Sequence, residues 1–533
     1  MAVRWFLYEI AMVVCSLGSM QAKGQTTNVG QWSALVEFPN VPVSAAVLPS
    51  GKLLTWASNQ PFFFEGDIGQ DASTTYTSLY NPATNSVEES GQTSMMADMF
   101  CSGVAYLTDG RIMVNGGSSS SHTALYDPRT DSWASGAPMN IARGYNSTVT
   151  LSDGRALTIG GSWSGGAGAN KDGEAWTSGQ GWATTAIPDT SILGDDPLDD
   201  QQGYVTLGDN HAWLFAASGG RVFQAGPSPQ MNWFTTTGQG SATPAGTRAD
   251  DPYSINGVAV MYAPGKILKA GGAQTYTDAD AAASATASVT GADAAANATA
   301  SAYVIDITAG LTNPGVNTAT VTKVWPMAHP RAYATGVVLP NGGVLVIGGQ
   351  THAHQFYDDN SVLTPELYNP ATLEFTPMAP MGTPRNYHSV ALLMPDGRVF
   401  SGGGGLCGDG CAFNHFDGAF FSPPYLFQAD GVTPAPRPAL AQAPADAHLG
   451  TAVTVATSGP VAAFDLIRMA ATTHVVNTDQ RRVPLAFAPG ALTNTYTLSL
   501  PADPGVVVPG YWMLFAIDAN GVPSVAQVIL VEF

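Results

Sequence analysis

Three observations predict an all-β fold. Glycine (59) and proline (37) are abundant while charged residues make up 11% of the chain, a balance that favours many short strands and turns over helices. A turn glycine followed by an apolar strand, often closing on Gly-Gly, recurs seven times. After Pro434 the composition shifts to strands separated by turn signals, without that signature. With 533 residues, 45% of them hydrophobic, the chain exceeds a single core.

The first residues, MAVRWFLYEIAMVVCSLGSMQA, read as a secretory signal peptide over 1–22: a basic start at Arg4, then an apolar run interrupted by Glu9. A single anchoring helix is the alternative. The repeated hairpins follow as LPSGKLLTWAS from Leu48, LTDGRIMVNGG from Leu107 and LSDGRALTIGG from Leu151. ASGGRVFQAGP from Ala217, YAPGKILKAGG from Tyr262, LPNGGVLVIGG from Leu339 and MPDGRVFSGGG from Met394 complete the set. Several copies lead into an outer strand of the type LYNPATNSV (Leu79), LYDPRTDSW (Leu125) or LYNPATLEF (Leu367). A strand-only repeat of this length reads as a propeller blade, so a seven-bladed, kelch-type β-propeller is expected over residues 30–430. Between the fifth and sixth blades, Asp278 to Tyr303, rich in Ala, Ser and Thr, reads as a surface loop extension, with Asn297-Ala298-Thr299 as a glycan acceptor motif. TAVTVATSG, TYTLSLP, GYWMLFAID and SVAQVILVEF predict an immunoglobulin-like β-sandwich over 434–533.

Charge and cysteine count narrow the function. Forty acidic residues against 20 basic ones give a net charge of -20, which repels phosphate backbones and anionic lipid. Nucleic acid is therefore not expected as a partner, nor a membrane once the signal is removed. Four cysteines are present. Cys15 leaves with the signal peptide, and Cys407 and Cys411 stand four apart in GLCGDGC, where glycines allow a small disulfide loop in an oxidising compartment. Cys101 remains, either buried and inert or chemically engaged. The expected location is extracellular.

The candidate chemistry lies where inner strands converge. Tyr145 opens the hairpin RGYNSTVTLSDGRALTIGGSWSGG and Trp163 follows its close, so the two rings meet or simply fill a β core. Tyr387 and His388 hold the corresponding place in the seventh hairpin, and His474 lies in the polar stretch TTHVVNTDQRRVPL of the C-terminal domain. Two imidazoles and two phenols form an N2O2 set that suits Cu(II); a His beside a Tyr is also common in cores. The other seven histidines carry no signal of their own.

Long strings extend this reading: DMFCSG at Cys101, ARGYNS at Tyr145, TIGGSWSGG at Trp163, NHAWLF at Asn210, VFQAGPSPQMNW at Val222, YHSVALLMPDGRVFSGGGGLCGD at Tyr387, THVVNTDQRR at Thr473 and PGYWMLF at Pro509. In that order they resemble the mononuclear copper-radical oxidases, the galactose oxidase family, over the propeller and C-terminal domain. The resemblance implies one copper ion and a thioether between Cys101 and Tyr145, which would explain the odd cysteine. The π-face of Trp163 would stabilise a radical on Tyr145. Tyr145, His388 and His474 would be equatorial ligands, Tyr387 the axial ligand and general base. The implied reaction oxidises a primary alcohol to the aldehyde and reduces O2 to H2O2.

For the substrate, the resemblance places Arg248 where the family has an arginine on sugar hydroxyls, and Phe64 and Phe356 where it has apolar pocket residues. Tyr276 precedes Thr277, which stands in place of a glutamine. Galactose or a galactoside is the expected substrate, as a small molecule acting with O2 on a monomer. The alternatives are a glyoxal-oxidase-like enzyme of simple alcohols or aldehydes, and a kelch-type sugar-binding propeller without redox chemistry. The first blade is expected to follow the leader almost directly, without the galactose-binding domain often present in the family, and GLCGDGC is one residue longer than the family's disulfide loop.

Overall fold

The computed structural model describes residues 28–64, 74–94, 97–161, 164, 170–193, 211–276 and 296–533. The signal peptide, Trp163, Thr277 and most of the 278–303 extension lie outside the described residues.

Every repeated hairpin becomes a pair of antiparallel strands. The first is Ser44–Val47 with Leu53–Trp56, and the last is Ser389–Leu393 with Val399–Gly403. Five of the seven share one turn, in which Leu48 N–H donates to Lys52 C=O at 2.8 Å and Met394 N–H to Arg398 C=O at 2.8 Å; the fourth closes through a 3-10 turn at Ser218–Gly220 and the fifth pairs Ala263 with Lys266 across two residues. Each hairpin is the inner half of a separate antiparallel sheet of four or five strands, and seven such sheets follow one another along the chain. Inner strands such as Ala156–Ile159 are buried throughout because neighbouring sheets cover both faces, whereas the outer strand Ser132–Ser135 is largely exposed. Successive inner strands pack together, Gly103–Tyr106 on Ser147–Thr150 and Ala332–Val338 on Ser389–Leu393, and Ser389–Leu393 returns to Ser44–Val47. The arrangement is consistent with a β-propeller.

Both chain ends of this unit depart from simple succession. Gln31–Trp32 and Val36–Glu37 pair with Asp417–Ser422, so the first strands complete the seventh sheet rather than opening the first. The first sheet in turn gains an inner strand from far away, Ala471–Thr473, registered on Ser44–Ala46.

The C-terminal region forms two facing sheets, with Asp446–His448 and Gln527–Glu532 as a parallel pair among antiparallel neighbours. Val455, Leu466, Leu498, Trp512 and Ile529 fill the space between them. From this β-sandwich the segment after Arg468 enters the centre of the larger unit. Asp479 accepts the N–H of Tyr106 at 2.8 Å, Gln480 bonds Val338 N–H at 2.9 Å and Gly336 C=O at 2.8 Å, and Arg481 donates to Ala216 C=O at 3.1 Å. The segment is thus anchored to the second, fourth and sixth sheets as well as the first.

Candidate metal centre

Three inner strands are preceded by Arg-x-Tyr: Arg143 before Tyr145, Arg331 before Tyr333, Arg385 before Tyr387. Each guanidinium donates to a Gly carbonyl at the close of its own hairpin, Gly160 at 3.0 Å, Gly348 at 2.8 Å and Gly403 at 2.9 Å. Each also pairs with a carboxylate: Arg143 with Glu174 at 2.9 Å, Arg331 with Glu366 at 2.7 Å, and Arg385 with Asp417. Burial pulls all three guanidinium pKa values down, and the carboxylates oppose it. The planar fork satisfies a carbonyl and a carboxylate at once, fixing the turn from which the tyrosine enters the core. The Gly-Gly is required by the same crowding: a Cβ on Gly403 would strike the carbonyl of Pro42.

Tyr145, Tyr387, His388, His474 and Cys101 meet at this centre, each less than a tenth exposed. The hydroxyls of Tyr145 and Tyr387 are hydrogen-bonded to each other. The Tyr145 ring lies 5.1 Å from that of His474, and the His388 and His474 rings are 4.7 Å apart and perpendicular. Cys101 forms no disulfide; its carbonyl accepts Tyr145 N–H at 2.7 Å and its sulfur lies 3.3 Å from His474 Nε2. Ligand atoms of Cys101, His388 and His474 all fall within 4.8 Å of one another. Four of these residues adopt left-handed φ: Cys101 57°, Tyr145 62°, His388 65° and His474 47°. Such a conformation costs a non-glycine residue about a kcal/mol or more and concentrates where function requires it.

The histidines are set up as ligands. Only a donor can face the Gly405 carbonyl, so His388 carries its proton on Nδ1, 2.6 Å away, and presents a bare Nε2. That Nε2 is buried with no hydrogen-bond partner, as an atom awaiting a metal would be. His474 Nδ1 is held at 2.7 Å by the Thr473 hydroxyl, which accepts from Ser44 at 2.8 Å. Burial pulls the His388 pKa down to about 3 and, with neighbouring imidazoles, that of His474 well below its ordinary value. Both rings are neutral, the ligand form. Burial pushes the Tyr387 phenol well above its usual 10, with Cys101 adding to the rise and the Tyr145 hydrogen bond opposing it. A cation is what would allow that phenol to ionise.

Phe64 and Phe356 flank the centre, their rings stacked at 5.3 Å and 6°, with Phe100 stacked on Phe64 at 5.4 Å. The half-buried Tyr276 packs against the same cluster. Arg248 does not belong with them. It is fully buried, pairs with Asp251 at 2.7 Å, and spends its remaining donors on the carbonyls of Ala225, Pro227, Ser228 and Pro252. No donor is left for a sugar hydroxyl, so the expectation for Arg248 is corrected: it braces the fourth sheet around Trp213. The Cys407–Cys411 disulfide is formed.

Sequence reasoning missed two residues. His211 donates from Nδ1 to Asn146 C=O at 2.8 Å and stands 5.5 Å from the Tyr145 ring and 5.3 Å from His474, its pKa lowered to about 4 by burial. Tyr333, fully buried, packs 5.2 Å from the Tyr387 ring. The recurrence of Arg-x-Tyr was the available signal for the second; NHAWLF held the first without revealing it.

The fold brings buried tyrosine, histidine and cysteine side chains together where a metal could be held, and comparisons give the class as a copper-dependent alcohol oxidase. The galactose oxidase-like early set domain matches residues 437–531, and the glyoxal oxidase N-terminus matches residues 275–414. A galactose oxidase of Gibberella zeae is 40% identical over 532 residues, covering 97% of this chain and 73% of that protein. The aldehyde oxidase GLOX of Vitis pseudoreticulata is 33% identical over 229 residues, 39% of this chain and 42% of that protein. A solved structure described as a fungal alcohol oxidase with catalytic diversity among the AA5 family, in complex with copper, superposes with a TM-score of 0.85 at 40% identity, covering 95% of this chain and 100% of that one. The chain belongs to the galactose oxidase family.

Proposed function

We propose that the protein is a secreted copper-radical oxidase that converts a primary alcohol to the aldehyde and reduces O2 to H2O2. The observation that carries this is the convergence of Tyr145, Tyr387, His388 and His474, with a bare, buried Nε2 on His388. The fold reading that goes with it is a kelch-type propeller of seven blades over 30–430 followed by an immunoglobulin-like domain over 434–533 that delivers His474. The leader over 1–22 and the disulfide support secretion; among the described residues no helix is long and apolar enough to cross a membrane.

Tyr145, Tyr387, His388 and His474 would hold the ion. Copper would supply a Lewis acid that acidifies the bound alcohol and an acceptor for one electron. Tyr387, in the role of general base, takes the hydroxyl proton. Tyr145, oxidised by one electron and joined to Cys101 by a thioether, abstracts the hydrogen atom from the carbinol carbon. The proton on Tyr387 and the hydrogen on Tyr145 are then those that leave with dioxygen as H2O2, so two hydrogens and two electrons are accounted for. The Phe64, Phe100 and Phe356 rings keep water from the centre.

With Arg248 committed elsewhere, the aromatic wall favours a primary alcohol bearing a flat apolar substituent. Galactose is the second reading, supported by the 40% identity to a galactose oxidase. Peroxide production on galactose, benzyl alcohol and methylglyoxal separates the two and also tests the glyoxal-type alternative. For the centre itself, the copper-exposed protein is denatured, reduced and alkylated. Two labelled cysteines in the mature chain, with the Cys101 and Tyr145 peptides joined, are expected; three labels would sink the radical mechanism.

A further inference from the structure

The aromatic wall comes from two loops that share no strand. Phe64 follows the inner hairpin of the first sheet, and Phe356, at φ 64°, lies between Val344–Gln350 and Glu366–Asn369 of the sixth. A third loop, residues 404–415 of the seventh sheet, touches both. Toward Phe64, Gly408 N–H and Asn414 Nδ2 both donate to Phe62 C=O, at 3.0 and 3.2 Å. Toward Phe356, His415 Nε2 reaches Asp358 Oδ2 at 2.9 Å, and the Phe413 ring meets Tyr357 at 5.1 Å. The same loop supplies the Gly405 carbonyl that fixes His388.

Resting on the alcohol-oxidase reading above, we propose that the His415–Asp358 pair determines substrate specificity by position. It ties the Phe356 loop to the 404–415 loop and so keeps Phe356 parallel to Phe64, selecting alcohols whose substituent lies flat on that wall. The pair is built for this. The His415 side chain is 14% exposed and rests on Gly404, where a Cβ would come within 3.0 Å of its ring, while its backbone N–H is bound to Gly404 C=O at 3.0 Å. Asp358 also accepts from Asn386, the residue before Tyr387, at 3.4 Å. By contrast His354–Asp359, on the same loop, has its carboxylate 51% exposed and joins nothing beyond the loop, which makes it a weak surface pair.

The test uses the full-length, copper-loaded protein and its His415→Ala, His415→Gln and Asp358→Asn variants. Benzyl alcohol, which reaches the wall, is compared with ethanol, which does not. His415→Ala is expected to raise KM for benzyl alcohol about tenfold and to lower the benzyl-to-ethanol ratio of kcat/KM by the same factor. His415→Gln, which keeps a donor, recovers most of the ratio; Asp358→Asn falls between. Calorimetric binding of benzyl alcohol to the metal-free protein weakens in parallel. An unchanged ratio, whether both substrates decline together or neither changes, overturns the proposal. A wild-type protein that oxidises neither of these alcohols nor galactose sinks the alcohol-oxidase reading instead, and the calorimetry still reads the wall.

Discussion

Between the second and third sheets, the Cys101 carbonyl accepts the N–H of Tyr145 at 2.7 Å; between the fifth and sixth, the Asn256 carbonyl accepts the N–H of Tyr333 at 3.0 Å. The φ values match, 57° and 62° at the first junction and 50° and 61° at the second. Arg143 with Glu174 and Arg331 with Glu366 stand behind the two tyrosines in the same way. The difference is the side chain at the head of each pair. Asparagine tolerates a left-handed φ better than cysteine does, so cysteine at the first junction is the choice that backbone preference alone would not make. One structural module is used twice, and where sulfur replaces the amide it lies beside His474. The same hairpin-closing arrangement stands at both junctions, once with a sulfur and once with an amide.

The largest expected effect comes from removing that difference. Cys101→Ser should lower alcohol-dependent oxygen uptake by at least about a thousandfold while the protein still binds copper. Mass spectrometry would then find the Tyr145 peptide unlinked, and retention of activity would mean the sulfur is incidental. Next, Arg143→Met and Arg331→Met each strand a buried carboxylate and should cost roughly 3–5 kcal/mol in chemical denaturation. The two losses should be similar, but only Arg143→Met should also reduce the yield of joined Cys101 and Tyr145 peptides.

Asp98, three residues before Cys101, sharpens the contrast, because Tyr253 occupies that place before Asn256. Burial raises the Asp98 pKa to about 6, with hydrogen bonds from Phe100 N–H, Ser118 and Asn59 opposing the rise. The folded protein therefore holds a proton that the unfolded chain releases at lower pH. The resulting stabilisation is complete below about pH 4 and is lost as pH climbs through about 6. Against Asp98→Asn, the wild type should lose roughly 2–3 kcal/mol of unfolding free energy between pH 4 and pH 7; parallel curves would refute the assignment. The smallest effect is at Thr473. Replacing it with Val removes the partner of His474 Nδ1 and should weaken copper binding by about 10–100-fold, read by competition with a chelator, with the fold intact.

Much of this was legible in the sequence for a physical reason: a Gly turn, an apolar strand and Gly-Gly are local requirements, so each of the seven hairpins announces itself. The clustering of Cys101, Tyr145, Tyr387, His388 and His474 followed from the converging inner strands and from the resemblance. Arg248 was misread because a position along the chain does not say which way a guanidinium turns, and here Asp251 and four carbonyls turn it inward. His211 was passed over because nothing local distinguishes a loop histidine from one packed on Tyr145. The pairing of Ala471–Thr473 with Ser44–Ala46 joins residues more than 400 apart and has no local signature.

That last pairing sets an order of events in the life of the molecule. His474 reaches the centre only with the segment that completes the first sheet, and that segment hangs from a sandwich in which Gln527–Glu532 pairs with Gly510–Ile517. During synthesis Cys101, Tyr145 and His388 all precede His474, the last of the clustered side chains to emerge. A nascent chain therefore cannot close the centre until that segment has emerged and paired with Ser44–Ala46.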